Sequence, residues 1–190
     1  FHGLGPFDKE TGKSKGVGLA EKSATQVFCE SLMREAEQNS DIVAITAAME
    51  GGTGLKPFHK EYPDRFVDVG IAEEQAVGMA AGLAIAGKRP VVAIYSTFMQ
   101  RAIDQITVDV ALPALNVVFA LDRAGLVGDD GPTHHGVFDL VYLRMLPNMK
   151  IMVPSGQQSI SDATHTAFTL DGPVAIRYPR GCAEKDSFDE

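Results

Sequence analysis

Residues 91–101 read VVAIYSTFMQR, and this stretch decides the fold. Five apolar, β-prone residues, Val91–Tyr95, pass almost directly into a helical pattern from Phe98 to Val110, which Pro113 ends. A strand with no polar face must be covered on both sides, which is the signature of a parallel βαβ unit. The same alternation extends in both directions. Downstream come a strand at Val117–Leu121, a long Gly/Asp-rich loop from Asp122 to Gly136 and a short helix near Phe138–Arg144. A strand at Lys150–Val153, a helix at Gly156–Phe168 and a strand at Val174–Tyr178 follow. Upstream lie a helix from Ala72 to Ala86, with Ala76, Met79, Ala80 and Leu83 on one face, and strands at Phe66–Val69 and Ile42–Ile45. The first helix starts at a cap, Ser23 or Thr25, and carries the apolar stripe Phe28, Leu32, Met33 and Ala36. The pattern predicts an α/β fold of three layers, αβα, around a mostly parallel six-stranded sheet.

Composition narrows the function classes. The chain has 190 residues, 17 Lys+Arg against 25 Asp+Glu and a net charge of −8, which argues against a nucleic-acid footprint. Hydrophobic residues make up 45% and charged residues 22%, so a packed core is expected rather than disorder. No apolar run approaches the roughly 20 residues of a membrane span. Two cysteines, Cys29 and Cys182, make no disulfide framework and suit a reducing, cytoplasmic setting. Cys29 falls on the apolar stripe of its helix and reads as a buried structural thiol. Residues 1–22, rich in glycine and lysine, read as an interdomain arm; 23–181 form the domain; 182–190 (CAEKDSFDE) read as a linker toward a further, C-terminal domain. A first residue of Phe1 rather than Met reads as a piece of a longer chain.

In parallel sheets the chemistry gathers where strands end and helices begin. Six such patches are expected to meet in one cleft: Thr46–Gly54, Gly70–Glu74, Ser96–Arg101, Asp122–Gly136, Pro154–Gly156 and Arg177–Gly181. One look-alike carries no chemistry, and a glycine run after the first strand could lie close to a ligand. Gly82-x-x-x-x-Gly87-Lys88 has Arg89 where a phosphate loop needs Ser or Thr, and it follows a helix instead of a strand. Gly51-Gly52-Thr53-Gly54 reads first as a turn needing positive φ.

Four motifs do carry chemistry. Val69-Gly70-Ile71-Ala72-Glu73-Glu74 puts a carboxyl among small apolar residues at a strand–helix junction. Such a group either favours the helix N-terminus or, in a dry pocket, carries a proton near neutral pH. Tyr95-Ser96-Thr97-Phe98-Met99-Gln100-Arg101 offers Phe98 to stack on a planar ligand and Arg101 to grip an anion. The loop 122–136 concentrates Asp122, Arg123, Asp129, Asp130, His134 and His135. Adjacent histidines do not converge easily on one ion, so this loop suits a polar organic ligand and no metal site is expected. Arg177-Tyr178-Pro179-Arg180-Gly181 adds two cations suited to phosphate.

Taken in order and spacing, these motifs resemble the central domain of the 1-deoxy-D-xylulose-5-phosphate synthases. The segments are Ile71-Ala72-Glu73, Tyr95-Ser96-Thr97-Phe98-x-Gln100-Arg101-Ala102-x-Asp104-Gln105, Asp122-Arg123-Ala124-Gly125-x-Val127-Gly128-x-Asp130-Gly131-x-Thr133-His134 and Arg177-Tyr178-Pro179-Arg180-Gly181. Phe1-His2-Gly3-x-Gly5-Pro6-Phe7 resembles the interdomain linker of that family. The resemblance implies a transketolase-like, pyrimidine-binding domain of a thiamine diphosphate enzyme. That enzyme decarboxylates pyruvate and joins the two-carbon unit to D-glyceraldehyde 3-phosphate, feeding isoprenoid, thiamine and pyridoxal synthesis. It implies that Glu73 hydrogen-bonds the pyrimidine ring nitrogen, with Phe98 stacked on the ring and Arg101 nearby. Tyr95, Arg123 and Arg180 would hold the acceptor's phosphate, and Asp130 and His134 its hydroxyl or carbonyl groups, so that catalysis rests on Glu73 and His134. A homodimer is implied, with the diphosphate and Mg²⁺ held by a preceding domain. The Gly-Asp-Gly motif that binds them, with its downstream Asn, does not occur in this chain. The isolated chain is therefore expected to be inactive. One departure stands out: Glu74-Gln75 occupy positions where the family often shows Gln-His. The alternatives are another thiamine-dependent domain, of transketolase or 2-oxoacid dehydrogenase β type, or a non-catalytic binding or assembly module.

Overall fold

The computed structural model describes residues 7–13 and 22–184. Most of the glycine-rich arm (1–6 and 14–21) and residues 185–190 of the acidic tail lie outside the described residues, and with them all but Phe7 of the Phe1–Phe7 linker motif.

Six strands form one sheet: β1 (Ile42–Thr46), β2 (Phe66–Asp68), β3 (Arg89–Tyr95), β4 (Val118–Asp122), β5 (Lys150–Met152) and β6 (Val174–Arg177). Every pairing is parallel, in the order β2-β1-β3-β4-β6-β5. The expected "mostly parallel" sheet is thus wholly parallel. All six predicted strands are present, with ends shifted by a residue or two, as fraying ends allow.

Alternate side chains of each strand serve the two faces. On one face Ala44, Val91, Ala93, Val118, Ala120, Val174 and Ile176 pack against α1 (Ala24–Gln38) and α7 (Gln157–Thr169) through Phe28, Leu32, Ile160 and Phe168. On the other, Val43, Ile45, Val92, Ile94, Phe119, Leu121 and Ala175 meet α3 (Glu73–Ile85) and the segment after β3. That period-2 division of strands apolar on both faces, with polar residues confined to their ends, is what makes three layers.

The helix expected over Phe98–Val110 is broken into pieces. α4 (Ser96–Met99) starts directly on the last strand residue, a 3₁₀ turn (Gln100–Ala102) and α5 (Ile103–Gln105) follow, and Ile106–Ala111 is π-helical. The wide turn shows in bonds from Leu112 N–H to Thr107 O and from Leu115 N–H to Val110 O, each 3.0 Å. The segment buries Ile106, Val110 and Ala111 against the sheet. Short α2 (Lys56–Glu61), with Pro57 in its first turn and Phe58 buried, has no counterpart in the predicted elements; six residues are too few to show a period. α6 (Asp139–Leu143) matches the expected short helix.

Ser23 is the cap of α1: its Oγ accepts from Gln26 N–H at 3.2 Å, while Gln26 Oε1 accepts from Ser23 N–H at 2.8 Å. Residues 182–184 lie across the same end of the domain. Cys182 bridges Ser23, Ala183 is buried, and Gln157 donates to the carbonyls of Ala183 and Glu184.

Candidate active site

The strand order changes direction between β1 and β3: the chain leaves β1 for β2 on one side and returns to β3 on the other. Such a switch opens a crevice beyond the strand C-termini. Here it is a cavity of about 270 Å³ lined by Ala47, Ala48, Met49, Ile71, Glu73, Phe98 and Arg101.

Glu73 is the first residue of α3 and is only 3% exposed. Among the described residues, its carboxylate has one hydrogen-bonding side-chain partner, Arg101 Nη1, at 3.3 and 3.5 Å. Bonds that long leave acceptor capacity open. The Glu73 backbone is placed by the turn before it. Asp68, at the end of β2, accepts from Gly70 N–H at 2.9 Å and from Ala48 N–H at 2.7 Å, tying the loops after β1 and β2 together. Ala48 is held at φ +56°, a conformation that a non-glycine residue adopts at a cost of roughly 1–2 kcal/mol. The sequence signal for such an Asx turn is an Asp followed two residues later by Gly, here Asp68-Val69-Gly70.

Phe98 is half-buried at the wall of this cavity. A row of stacked planes leads away from it. Tyr95 lies 5.3 Å from Phe98, centroid to centroid, at 14°, and the Arg123 guanidinium lies 3.9 Å above the Tyr95 ring. His134 meets Phe98 edge-on at 5.5 Å. Burial raises the Tyr95 hydroxyl's pKa, and the Arg123 charge opposes that shift.

Beyond Arg123 opens a second cavity of about 720 Å³, to which Thr25, Gly52, Arg123, Val127, Arg180 and Gly181 contribute. Arg123 sits at φ +58°, the second strained non-glycine residue at the site. Its Nη1 donates to Gly52 O at 2.9 Å and to Asp122 Oδ1 at 2.8 Å, whereas its buried Nε has no hydrogen-bond partner among the described residues. A buried guanidinium N–H without an acceptor, in a cavity wall, fits an anionic ligand. Asp122 is fully buried and also accepts from Thr25 Oγ1 at 2.7 Å. Burial pushes its pKa up, against the pull of the Arg123 charge. Arg180 and Arg123 both turn to Asp130, at 3.2 and 4.0 Å, so that one carboxylate gathers two cations.

Gly52 has a reason beyond its turn: a Cβ there would stand 2.2 Å from the Tyr95 hydroxyl. The positive φ in that motif belongs to Gly54, at +74°. Cys29 is buried, which drives its thiol up to about 11. Glu74 and Gln75, the departures from the family pattern, are exposed.

Five of the six strand-end patches converge on these two cavities. The sixth does not: Pro154–Gly156 line a separate cavity with Ala24, Pro179 and Cys182. The reason is topological, because β5 is an edge strand with β6 between it and the rest of the sheet. Among the described residues there is no cluster of His, Cys, Asp and Glu able to hold a metal, and no helix long and apolar enough to cross a membrane.

Comparison with known proteins supplies a family and a fold. Residues 20–185 match the family model described as transketolase, pyrimidine binding domain. The 1-deoxy-D-xylulose-5-phosphate synthase of Syntrophomonas wolfei is 56% identical over 184 residues, covering 97% of this chain and 28% of that protein. Synthase 1 of Geobacter sulfurreducens is 60% identical, covering 95% of this chain and 28% of the relative. The chain therefore spans little more than a quarter of the length of these curated relatives. Among solved structures, one described as a split gene transketolase, inactive beta4 tetramer, superposes with a TM-score of 0.78 at 32% identity, over 90% of this chain and 56% of that one. The transketolase of Leishmania mexicana superposes at 0.80, with 20% identity, over 90% of this chain and 27% of the other, a likeness of fold alone.

Proposed function

The chain belongs to the family of transketolase pyrimidine-binding domains, and on that premise we propose that it forms the central part of a 1-deoxy-D-xylulose-5-phosphate synthase, a thiamine diphosphate-dependent transferase. The observation that carries this reading is the row Phe98–Tyr95–Arg123, which joins a small apolar cavity with a buried acid to a larger cationic one. The first chamber suits a flat, partly apolar heterocycle with one basic nitrogen. The second suits a phosphate ester. Identity of 56–60% to synthases over nearly the whole chain, against 32% to the split transketolase, favours the synthase over the transketolase reading.

The residues present fit the aminopyrimidine end of the cofactor. Glu73 supplies a buried carboxyl with open acceptor capacity, Phe98 an aromatic wall, and Met49 and Ile71 apolar contact. When bound, thiamine diphosphate supplies an electron sink for the loss of CO₂ from pyruvate. Glu73 holds a proton at the pyrimidine ring nitrogen and so controls proton traffic on the ring. Arg101 keeps the Glu73 side chain facing the cavity. Arg123 and Arg180 take the phosphate of D-glyceraldehyde 3-phosphate in the forked geometry that guanidinium groups offer to phosphate, with Tyr95 beneath Arg123 fixing its plane. A phosphate dianion entering here competes with Asp130 for both cations. Asp130, once released, and His134 address the acceptor's hydroxyl and carbonyl groups. The diphosphate and Mg²⁺ fall to the remainder of the polypeptide, and the complete enzyme acts as a cytoplasmic homodimer.

The test is product analysis with the complete polypeptide that carries this chain. Given pyruvate and D-glyceraldehyde 3-phosphate with thiamine diphosphate and Mg²⁺, it should release CO₂ and form 1-deoxy-D-xylulose 5-phosphate. Turnover of ketose phosphates with none of pyruvate would assign it to transketolase instead.

A further inference from the structure

The loop that carries Asp130 and His134 is built from two short 3₁₀ turns, Gly128–Asp130 and Pro132–His134, joined through glycines. Gly125, Gly128 and Gly131 all sit at positive φ (+85°, +61° and +85°), where the backbone has little restraint of its own. At its base the loop is closed by a pair of reciprocal bonds, Gly125 N–H to Gly136 O and Gly136 N–H to Gly125 O, each 2.8 Å, with Val127 N–H to His135 Nδ1 at 3.1 Å next to them. Gly136 is wedged: a Cβ there would lie 2.5 Å from Ser96 Oγ and 2.6 Å from Arg123 O.

Behind that base stands a carboxylate that neither chamber uses. The Asp139 side chain has no solvent exposure and lines neither cavity. Its Oδ2 accepts from Ser96 Oγ at 3.0 Å and from Arg177 Nε at 3.0 Å, and its Oδ1 accepts from Leu140 N–H at 2.7 Å. Arg177, 15% exposed, also directs Nη2 to Gly136 O at 3.5 Å. One buried anion therefore ties together the end of β3 beside Tyr95, the end of β6 near Arg180, and the closing residue of the loop.

We propose that Asp139 is a positioning residue: through Ser96 and Arg177 it anchors the base of the 125–136 loop and so sets where Asp130 and His134 stand toward the phosphorylated acceptor. The inference rests on the synthase reading and assigns its acceptor site a support outside the substrate-contacting residues. The physical basis is the cost asymmetry of buried ion pairs. Removing the anion leaves a largely buried guanidinium uncompensated, and it must turn outward or toward the Gly136 carbonyl. Either movement opens the Gly125–Gly136 closure. Glu73 lies across the cleft at the start of α3 and shares none of these bonds, so its proton chemistry should be untouched.

The experiment compares Asp139→Asn and Ser96→Ala in the complete polypeptide. Two readouts are taken: hydrogen–deuterium exchange of peptides covering 123–137, and steady-state kinetics with C2-proton exchange of bound thiamine. Loop exchange should accelerate roughly tenfold in Asp139→Asn and about threefold in Ser96→Ala, in line with losing one strong or one weak anchor. The acceptor KM should rise roughly fivefold or more while C2 exchange stays within about twofold, the pattern of lost substrate positioning. Unchanged loop exchange in both variants overturns the proposal, and so does a fall in kcat and C2 exchange with the acceptor KM unmoved. Ser96→Ala buries no unpaired charge, so it decides the matter alone should Asp139→Asn not fold. If the unmodified polypeptide makes no 1-deoxy-D-xylulose 5-phosphate, the synthase reading falls, and loop exchange still decides the anchoring.

Discussion

Glu73 and Arg123 show how differently two residues can be prepared for function. Glu73 is prepared by exclusion: α3 starts on it, Ala47, Ala48 and Ile71 line the cavity around it, and one long bond to Arg101 orients it. Glu73→Ala in the complete polypeptide should abolish C2-proton exchange of bound thiamine, followed by proton NMR in D₂O, with the fold retained by circular dichroism. Exchange at the unmodified rate would remove Glu73 from the proton path. Arg123 is prepared by constraint. It is held at positive φ, clamped by the Gly52 carbonyl and the buried Asp122, and laid over Tyr95. Lysine in its place would keep the charge and lose both the fork and the stacked plane. Arg123→Lys should therefore raise the acceptor KM by about tenfold or more with pyruvate saturation little changed, measured by initial rates.

Secondary-structure elements act here mainly through their ends. The Ser23–Gln26 capping box fixes where α1 starts, and two residues on, Thr25 reaches the buried Asp122 that holds Arg123. The cap thus supports the cationic chamber as well as the helix. Ser23→Ala should lower the unfolding free energy by about 1 kcal/mol, read from the urea midpoint. An unchanged midpoint would mean that the bond from Ala24 N–H to the Gly181 carbonyl, at 2.9 Å, suffices to cap the helix. The broken segment after β3 makes the same point. By starting at Ser96, α4 presents Ser96 to Asp139 and Phe98 to the cavity, while the π-helical turn further on buries Ile106 and Val110 in the core.

At the scale of the whole molecule, the two chambers bring together an aromatic wall, a buried acid and a pair of guanidinium groups. Under the proposed reading the diphosphate and Mg²⁺ contacts lie in the remainder of the polypeptide. Isothermal titration of the chain by itself with thiamine diphosphate and Mg²⁺ should accordingly show no micromolar binding; a micromolar Kd would place the diphosphate contacts within these residues.

Much of this architecture was legible from one dimension. Near-continuously apolar strands separated by helices dictate a covered parallel sheet, and Glu73, Phe98, Arg123 and Arg180 stand out as candidates because strand ends are where such sheets hold ligands. Those signals are local, carried by periodicity and residue type within a few positions. The tertiary structure alone decided that Pro154–Gly156 stands apart, since strand order is a long-range property of the sheet. It likewise decided that Ala48 and Arg123 adopt strained φ, and that Asp122 and Asp139 are buried against cations instead of facing solvent. An aspartate's sequence neighbours do not tell whether it will be buried. Its partners arrive from other strands, 38 residues away in the case of Asp139 and Arg177, and only the folded sheet brings them within hydrogen-bonding distance.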